Sequence, residues 1–175
     1  MAIRPPFNLY KWIEDNRHLL KPPVGNKNLY TEAGDYIVMI VGGPNARKDF
    51  HYNETEELFF QLEGDITVYI QEGGERKAVE IREGEMFLLP AKIPHSPVRP
   101  ANTIGLVIER KREPDHKDGL IWYSDTANVK LYEEYFHLTN IEKDFLPVMR
   151  KFYGDEKLRT CPETGEVMEV DERYV

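Results

Sequence analysis

Apolar residues fall in short runs parted by glycine and proline along most of the chain, and take a helical period only near its two ends. Residues 8–20 put Leu9, Trp12, Ile13, Leu19 and Leu20 on one stripe behind Asn8, a residue type that caps helix N-termini. The spacing predicts an amphipathic helix over 8–20, which Pro22 and Pro23 end. Beyond it the texture changes. Residues 36–41, Tyr-Ile-Val-Met-Ile-Val, form the unbroken apolar run of a strand buried on both faces. Strands over 57–62, 65–70, 77–81, 86–89 and 103–110 follow, separated by turn signals at Gly64, at Gly73-Gly74 and at Gly84. Many short strands at this spacing predict a mainly β architecture, and a small jelly-roll β-barrel whose strand edges are closed or covered fits best. After Trp122 the pattern shifts again. Thr139 and Glu142 read as a capping box opening a helix over 141–153, with Pro147 set to kink it, and the residues from Asp155 onward are polar without a clear period. The expected organisation is one domain over 1–175, with its core at about 27–123 and a C-terminal extension over 124–175.

Composition narrows the partners. A chain of 175 residues has the length of one ordinary domain. Its net charge of -8, with acidic and basic residues mixed throughout, argues against a nucleic-acid binder, which needs a basic face. No apolar run approaches the roughly 20 residues of a membrane span, and the first residues lack the apolar core of a secretory signal. Cys161 is the single cysteine, so no intramolecular disulfide forms and a reducing compartment suits the chain. The expectation is a cytoplasmic protein that binds neither nucleic acid nor membrane.

Candidate chemistry centres on histidine. Of five histidines, His18 lies in the first helix and His116 in the charged loop 113–118, and both read as solvated. His51 and Glu57 flank a short polar link into a strand, and by strand parity both side chains can face a barrel interior. His95 follows a strand that ends at Pro90 and a second proline, Pro94. Taken singly, such histidines are usually loop residues satisfied by a carbonyl. Together, two imidazoles and one carboxylate are the ligand set of a mononuclear non-heme Fe(II) site, with coordination positions left open. Arg47, Arg99 and Glu109 lie close by in sequence, and Glu109 ends an apolar strand, where a charge needs a partner. Two arginines and a glutamate beside a metal suit a small substrate carrying a carboxylate and an amino group.

These segments resemble the two motifs of the cupin superfamily. In the first, Gly-x5-His-x-His-x3,4-Glu-x6-Gly, residues His51, Glu57 and Gly64 match, Asn53 stands for the second histidine, and Gly43 lies two residues too far upstream. In the second, Gly-x5-Pro-x-Gly-x2-His-x3-Asn, residues Gly84, Pro90 and His95 match, while Lys92 replaces the inner glycine and Arg99 the asparagine. More closely, the chain resembles the 3-hydroxyanthranilate 3,4-dioxygenases, single-cupin enzymes of the kynurenine pathway. Leu-Leu-Lys-Pro-Pro-Val-Gly-Asn (19–26), Gly-Gly-Pro-Asn (42–45), Phe-Leu-Leu-Pro (87–90), Pro-His-Ser-Pro-Val-Arg (94–99) and Trp-Tyr (122–123) carry the likeness, which spans nearly the whole length.

That resemblance implies a cupin fold with an N-terminal helix and a C-terminal helical segment. It implies one Fe(II) per chain on His51, Glu57 and His95, substrate binding by Glu57, Arg99, Glu109 and Asn26, an oxygen-binding and catalytic role for Arg47, and a catalytic role for Glu109. It implies a small aromatic substrate, dioxygen as co-substrate, and a homodimer. The reaction implied opens 3-hydroxyanthranilate to 2-amino-3-carboxymuconate semialdehyde, on the way to quinolinate and NAD. Microbial members with this tail also carry a rubredoxin-like iron on two Cys-x2-Cys pairs. Here those positions read Ser124, Ala127, Cys161 and Thr164, so the second iron site is expected to be absent. Contacts from Tyr132, Tyr135, Phe136, Phe145 and Phe152 are expected to hold the segment instead. The competing readings are a non-catalytic metal- or ligand-binding cupin and a cupin dioxygenase for another small substrate.

Overall fold

The structure, a computed structural model, describes residues 3–21, 25–32 and 34–175. Helix α1 (Leu9–Asn16) is capped by Asn8, whose Oδ1 accepts from the Lys11 amide at 2.9 Å. It is shorter than the pattern predicts, because residues Arg17–Leu19 tighten into a 3₁₀ turn; Pro22 and Pro23 lie outside the described residues. Eleven strands follow: β1 (Asn26–Asn28), β2 (Tyr36–Gly42), β3 (Phe50–Tyr52), β4 (Glu57–Glu63), β5 (Ile66–Glu72), β6 (Glu75–Ile81), β7 (Met86–Leu89), β8 (His95–Val98), β9 (Ile104–Arg110), β10 (Asp118–Tyr123) and β11 (Lys130–Phe136). Helices α2 (Ile141–Gly154) and α3 (Glu156–Arg159) and a last 3₁₀ turn (Glu172–Tyr174) complete the chain.

The strands form two antiparallel sheets, β1-β2-β9-β4-β7 and β11-β10-β3-β8-β5-β6, as expected of a cupin jelly roll. Their inner faces meet on Met39, Phe59, Ile66, Val68, Ile81, Leu89 and Val107. Helix α1 covers part of the outer face of the smaller sheet, where Ile13 and Leu20 pack on Ile40, Leu62 and Ile104. Strand β2 is less buried than its apolar run suggests, since Tyr36 at its outer end is exposed. The turn signals hold: Gly64, Gly73, Gly74 and Gly84 all take positive φ, and Gly73-Gly74 joins β5 to β6 with Glu72 opposite Glu75.

The chain after Trp122 departs further from expectation. Strand β11, unforeseen, extends the larger sheet beyond β10, and α3 forms in a stretch without period. Helix α2 is capped by Asn140 rather than Thr139, with Asn140 Oδ1 accepting from Lys143 N at 3.1 Å. Asp144 Oδ2 completes the turn, accepting from the amides of Thr139 and Asn140; the Glu142 side chain lies outside the described residues. Pro147 sits within the helix without dividing it. The apolar face of α2 packs on β10 and the tail through Leu120, Trp122, Phe145, Val148, Met149, Phe152, Tyr153 and Met168. Trp122 is fully buried and stacks on Phe152 at 4.2 Å between ring centroids. Of the five aromatics expected to hold this segment, Tyr132, Phe136, Phe145 and Phe152 do so. Tyr135 instead points to the other face of the sheet, half exposed, against Tyr52.

Candidate active site

Register places the site between the two sheets. His51 on β3 and His95 on β8 are directly paired residues of the larger sheet. Glu57 on β4 and Glu109 on β9 are directly paired in the smaller one. Paired residues share a face, so two imidazoles meet two carboxylates across the barrel interior. Parity along a single strand is not the reason His51 and Glu57 converge, since they belong to different sheets joined by the turn at 53–56. Ligand atoms of His51, Glu57 and His95 all lie within 4.8 Å of one another.

The donor atoms fit a cation. His95 Nδ1 lies 3.1 Å from the Ile93 carbonyl, which takes its proton and leaves the Nε2 lone pair facing Glu57. His95 Nε2 and Glu57 Oε2 are 3.2 Å apart, yet Glu57 Oε2 is buried without a hydrogen bond of proper geometry. Two ligand atoms thus lie side by side with the carboxylate oxygen unsatisfied, an arrangement that a metal ion would complete. His51 Nε2 lies 2.7 Å from Asp118 Oδ1, a carboxylate that fixes the tautomer and orientation of the ring. Burial holds His51 below the ordinary histidine range. Burial also disfavours charge on His95, but Glu57 outweighs it and raises the imidazole, while His95 lowers Glu57 against the same burial. A divalent cation would take the place of that shared proton.

A cavity of about 780 Å³ opens over the triad, and Asn26, Arg47, Arg99 and Glu109 line it with His51, Glu57 and His95. Every candidate residue therefore borders one space. Arg99 is buried and, among the described residues, donates its side chain to Gln61 Oε1 alone, at 3.3 Å. Burial pushes its guanidinium down to about 10, with the charge of Glu57 opposing the shift. The room for Arg99 comes from Gly105, where an added Cβ would lie 2.8 Å from Arg99 Nη1. Arg47 packs its guanidinium 5.3 Å from the centre of the Phe145 ring, with Nε 3.3 Å from the buried Asp49. Residues 43–45 bring the two arginines together. Asn45 and Arg99 exchange backbone hydrogen bonds of 2.9 and 2.8 Å, and at Gly43 a Cβ would stand 1.9 Å from the Pro100 carbonyl, so only glycine fits.

Glu109 has partners that sequence reasoning did not find. Asn53 Nδ2 donates to Glu109 Oε2 at 3.0 Å, so the residue replacing a cupin histidine serves the neighbouring carboxylate. Arg112 Nη1 lies 2.5 Å from the same oxygen and pairs with Asp118 through Nε and Nη2. Burial and then the nearby Glu57 push Glu109 up to about 7, with Arg112 opposing. Asp118, expected in a solvated loop, is the buried first residue of β10, and His116 in that loop is half-buried. Lys92, at the inner-glycine position of the second cupin motif, adopts φ 67°, the left-handed conformation that glycine would supply.

Three of the four positions where relatives of this tail are expected to carry a second iron, Ser124, Cys161 and Thr164, lie together. Cys161 is buried, and the hydroxyl of Thr164, helped by the backbone amides of Thr164 and Glu163 and by the Ser124 hydroxyl, holds its thiol below the ordinary range. The loop is closed by the Cys161 amide donating to Glu166 O at 2.7 Å and the Gly165 amide donating to Cys161 O at 2.9 Å.

The chain is similar to known proteins along most of its length. The family model described as 3-hydroxyanthranilic acid dioxygenase matches residues 1–153. A 3-hydroxyanthranilate 3,4-dioxygenase of Xanthomonas euvesicatoria is 55% identical over 97% of this chain and 96% of its own length. Enzymes of the same name are 46% identical in Neurospora crassa (91% and 88% covered) and 43% identical in Bacillus cereus (95% and 94%). Among solved structures, a cupin-2 domain protein from Shewanella frigidimarina aligns with TM-score 0.47 and 19% identity over 57% of this chain and 92% of that one. The chain belongs to the 3-hydroxyanthranilic acid dioxygenase family.

Proposed function

We propose that the chain is an Fe(II)-dependent 3-hydroxyanthranilate 3,4-dioxygenase, with iron held by His51, Glu57 and His95. The observation that carries the reading is the convergence of this triad with Arg47, Arg99 and Glu109 on one cavity. Fe(II) held by these three side chains would supply open coordination positions and the one-electron chemistry that a reaction with dioxygen needs.

The protein's own groups do the rest. Arg99, buried with a single side-chain acceptor, pairs its fork with the ring carboxylate and thereby fixes which ring edge faces the metal. Arg47, steadied by Asp49 and Phe145, places a second cation where the dioxygen-derived atoms gain negative charge. Glu109, pushed up to about 7, accepts a proton from the substrate hydroxyl or amino group. Asn26, on β1 at the cavity edge, flanks the substrate. Met39, Val41, Phe59 and Val107 form the apolar wall against the ring and exclude water. Both oxygen atoms enter the product, 2-amino-3-carboxymuconate semialdehyde, which closes without enzyme to quinolinate, a precursor of NAD.

We read residues 1–175 as one domain that acts in the cytoplasm as a homodimer. Leu58, Leu88, Val38 and Ile108 stand in cross-strand register on the outer face of the smaller sheet, with Met86 and Leu88 mostly exposed on edge strand β7, and such a face suits a second copy. No helix among the described residues is long and apolar enough to cross a membrane. The test is oxygen uptake by freshly iron-loaded protein given 3-hydroxyanthranilate, with the ring-opened product followed by absorbance. One O2 consumed per product formed is the expected result. Tight substrate binding without turnover would favour the non-catalytic cupin, and turnover of another aminophenol alone would reassign the substrate.

A further inference from the structure

Arg112 lies outside every motif that points to the site, two residues past the end of β9, in the run Arg110-Lys111-Arg112-Glu113. Its side chain is nonetheless only 9% exposed. Its guanidinium spans two carboxylates: Nη1 is 2.5 Å from Glu109 Oε2, Nη2 is 2.5 Å from Asp118 Oδ1, and Nε is 2.9 Å from Asp118 Oδ2. Asp118 Oδ1 also meets His51 Nε2 at 2.7 Å, and Glu109 Oε2 also accepts from Asn53. A continuous chain of charge-assisted hydrogen bonds thus runs Glu109–Arg112–Asp118–His51 through the interior.

We propose that Arg112 is a positioning residue that locks Glu109, the carboxylate on the substrate side, and His51, the imidazole on the metal side, into one unit through Asp118. The roles of Glu109 and of His51 as a metal ligand in this statement rest on the function proposed above; the bonded chain that joins them does not. The geometry argues for a tie rather than a counter-ion. A lone cation would satisfy one carboxylate, whereas here a planar fork with three of its donors in use fixes the spacing of two. The two carboxylates sit on separate strands, β9 and β10, of different sheets, so the fork also ties the two sheets together. Asp118 is the outer partner that orients a ligating histidine, and Arg112 in turn orients Asp118. Lysine cannot reproduce this, since its single ammonium has no fork.

The experiment is a double-mutant cycle on Co(II)-loaded protein, with Arg112→Lys, Asp118→Asn and the double variant. Co(II) affinity is measured by chelator competition, the ligand geometry by visible absorption, and anaerobic 3-hydroxyanthranilate binding by titration. Each single variant is expected to weaken Co(II) binding about 10- to 100-fold and to shift the visible bands, an effect that a purely structural role would not have. The double variant should be no worse than the poorer single, because both break the same chain. Substrate binding should weaken more in Arg112→Lys than in Asp118→Asn, which leaves the Glu109–Arg112 pair in place. Wild-type Co(II) affinity and spectrum in Arg112→Lys, or losses that multiply in the double variant, would overturn the proposal. Should Arg112→Lys fail to fold, Asp118→Asn decides alone, and a wild-type spectrum there overturns it. Wild-type protein that binds Co(II) but never 3-hydroxyanthranilate would refute the substrate reading and leave the metal cycle standing as the test of the tie.

Discussion

Two buried arginines divide the molecule into a part built for stability and a part built for binding. Arg159 lies in the C-terminal segment among Tyr153 and Met168, and donates to the carbonyls of both, at 3.1 and 2.5 Å. Arg99 lies in the barrel, is at least as buried, and has Gln61 Oε1 as its one side-chain acceptor among the described residues. The first cation is bonded to two carbonyls of its own segment, which suits a role in holding that fold together. The second keeps unused donors in a cavity, at a desolvation cost that a ligand anion would offset. The same contrast runs through the surroundings. The C-terminal core is aromatic and apolar around Trp122, whereas the barrel cavity gathers Glu57, Glu109, His51 and His95 where burial opposes charge. Buried charge without full internal pairing marks the working region.

The sharpest way to break this comparison is to remove a ligand. Glu57→Ala should abolish metal binding and turnover while leaving a cooperative thermal transition; retained stoichiometric iron, measured by chelator assay, would show the triad to be misassigned. In the other region Trp122→Ala should cost about 3–5 kcal/mol of stability in urea unfolding. Metal affinity in its folded fraction should change only a few-fold, and a loss as large as that of Glu57→Ala would erase the distinction.

Arg99→Ala should lower kcat/KM by about 2–5 kcal/mol, roughly 30- to 5,000-fold, with iron content unchanged. Arg159→Ala should do the reverse, lowering the unfolding midpoint and sparing kcat/KM.

A smaller effect concerns pH. Glu109 stands at about 7 in the folded protein against an ordinary 4.5, so folding raises its proton affinity. Its contribution to stability is therefore full below pH 4.5 and is lost as pH rises through about 7. A cation on the triad offsets Glu57 and draws Glu109 downward, so kcat/KM should fall on acidification with an apparent pKa at or below about 7. That acidic limb should disappear in Glu109→Gln, and its persistence would assign the proton to another group. The smallest change is Gly105→Ala, which crowds Arg99 and should raise the substrate KM several-fold without touching the metal.

The sequence made the triad and both arginines legible because each sits in a segment marked by glycines and prolines, and Glu109 because it is a charge at the end of an apolar strand. It hid Arg112, Asp118 and Asn53 for an opposite reason. The first two lie in a run of charges that any local reading takes as solvated, and only the meeting of β9 and β10 buries them. Asn53 stood out only as a missing histidine, while its actual partner is 56 residues away. The long strands announced themselves by apolar runs, but β3 and β8, with three and four residues, are too short to show a period. Those two strands carry both histidines. In β11 the mixture of Tyr, Glu and Leu reflects one face on the Trp122 core and one near solvent, a pattern interpretable only once that core is known.

The proposal that matters most is that Arg99 reads the substrate carboxylate. It is tested most directly by comparing kcat/KM for 3-hydroxyanthranilate with that for 2-aminophenol, which keeps the metal-binding pair and lacks the carboxylate, in wild type and in Arg99→Ala. The account predicts a preference of at least about 100-fold in wild type, as expected for a buried polar group left without its partner, collapsing toward unity in the variant. Equal rates with both substrates in wild type, or an undiminished preference in Arg99→Ala, would contradict it.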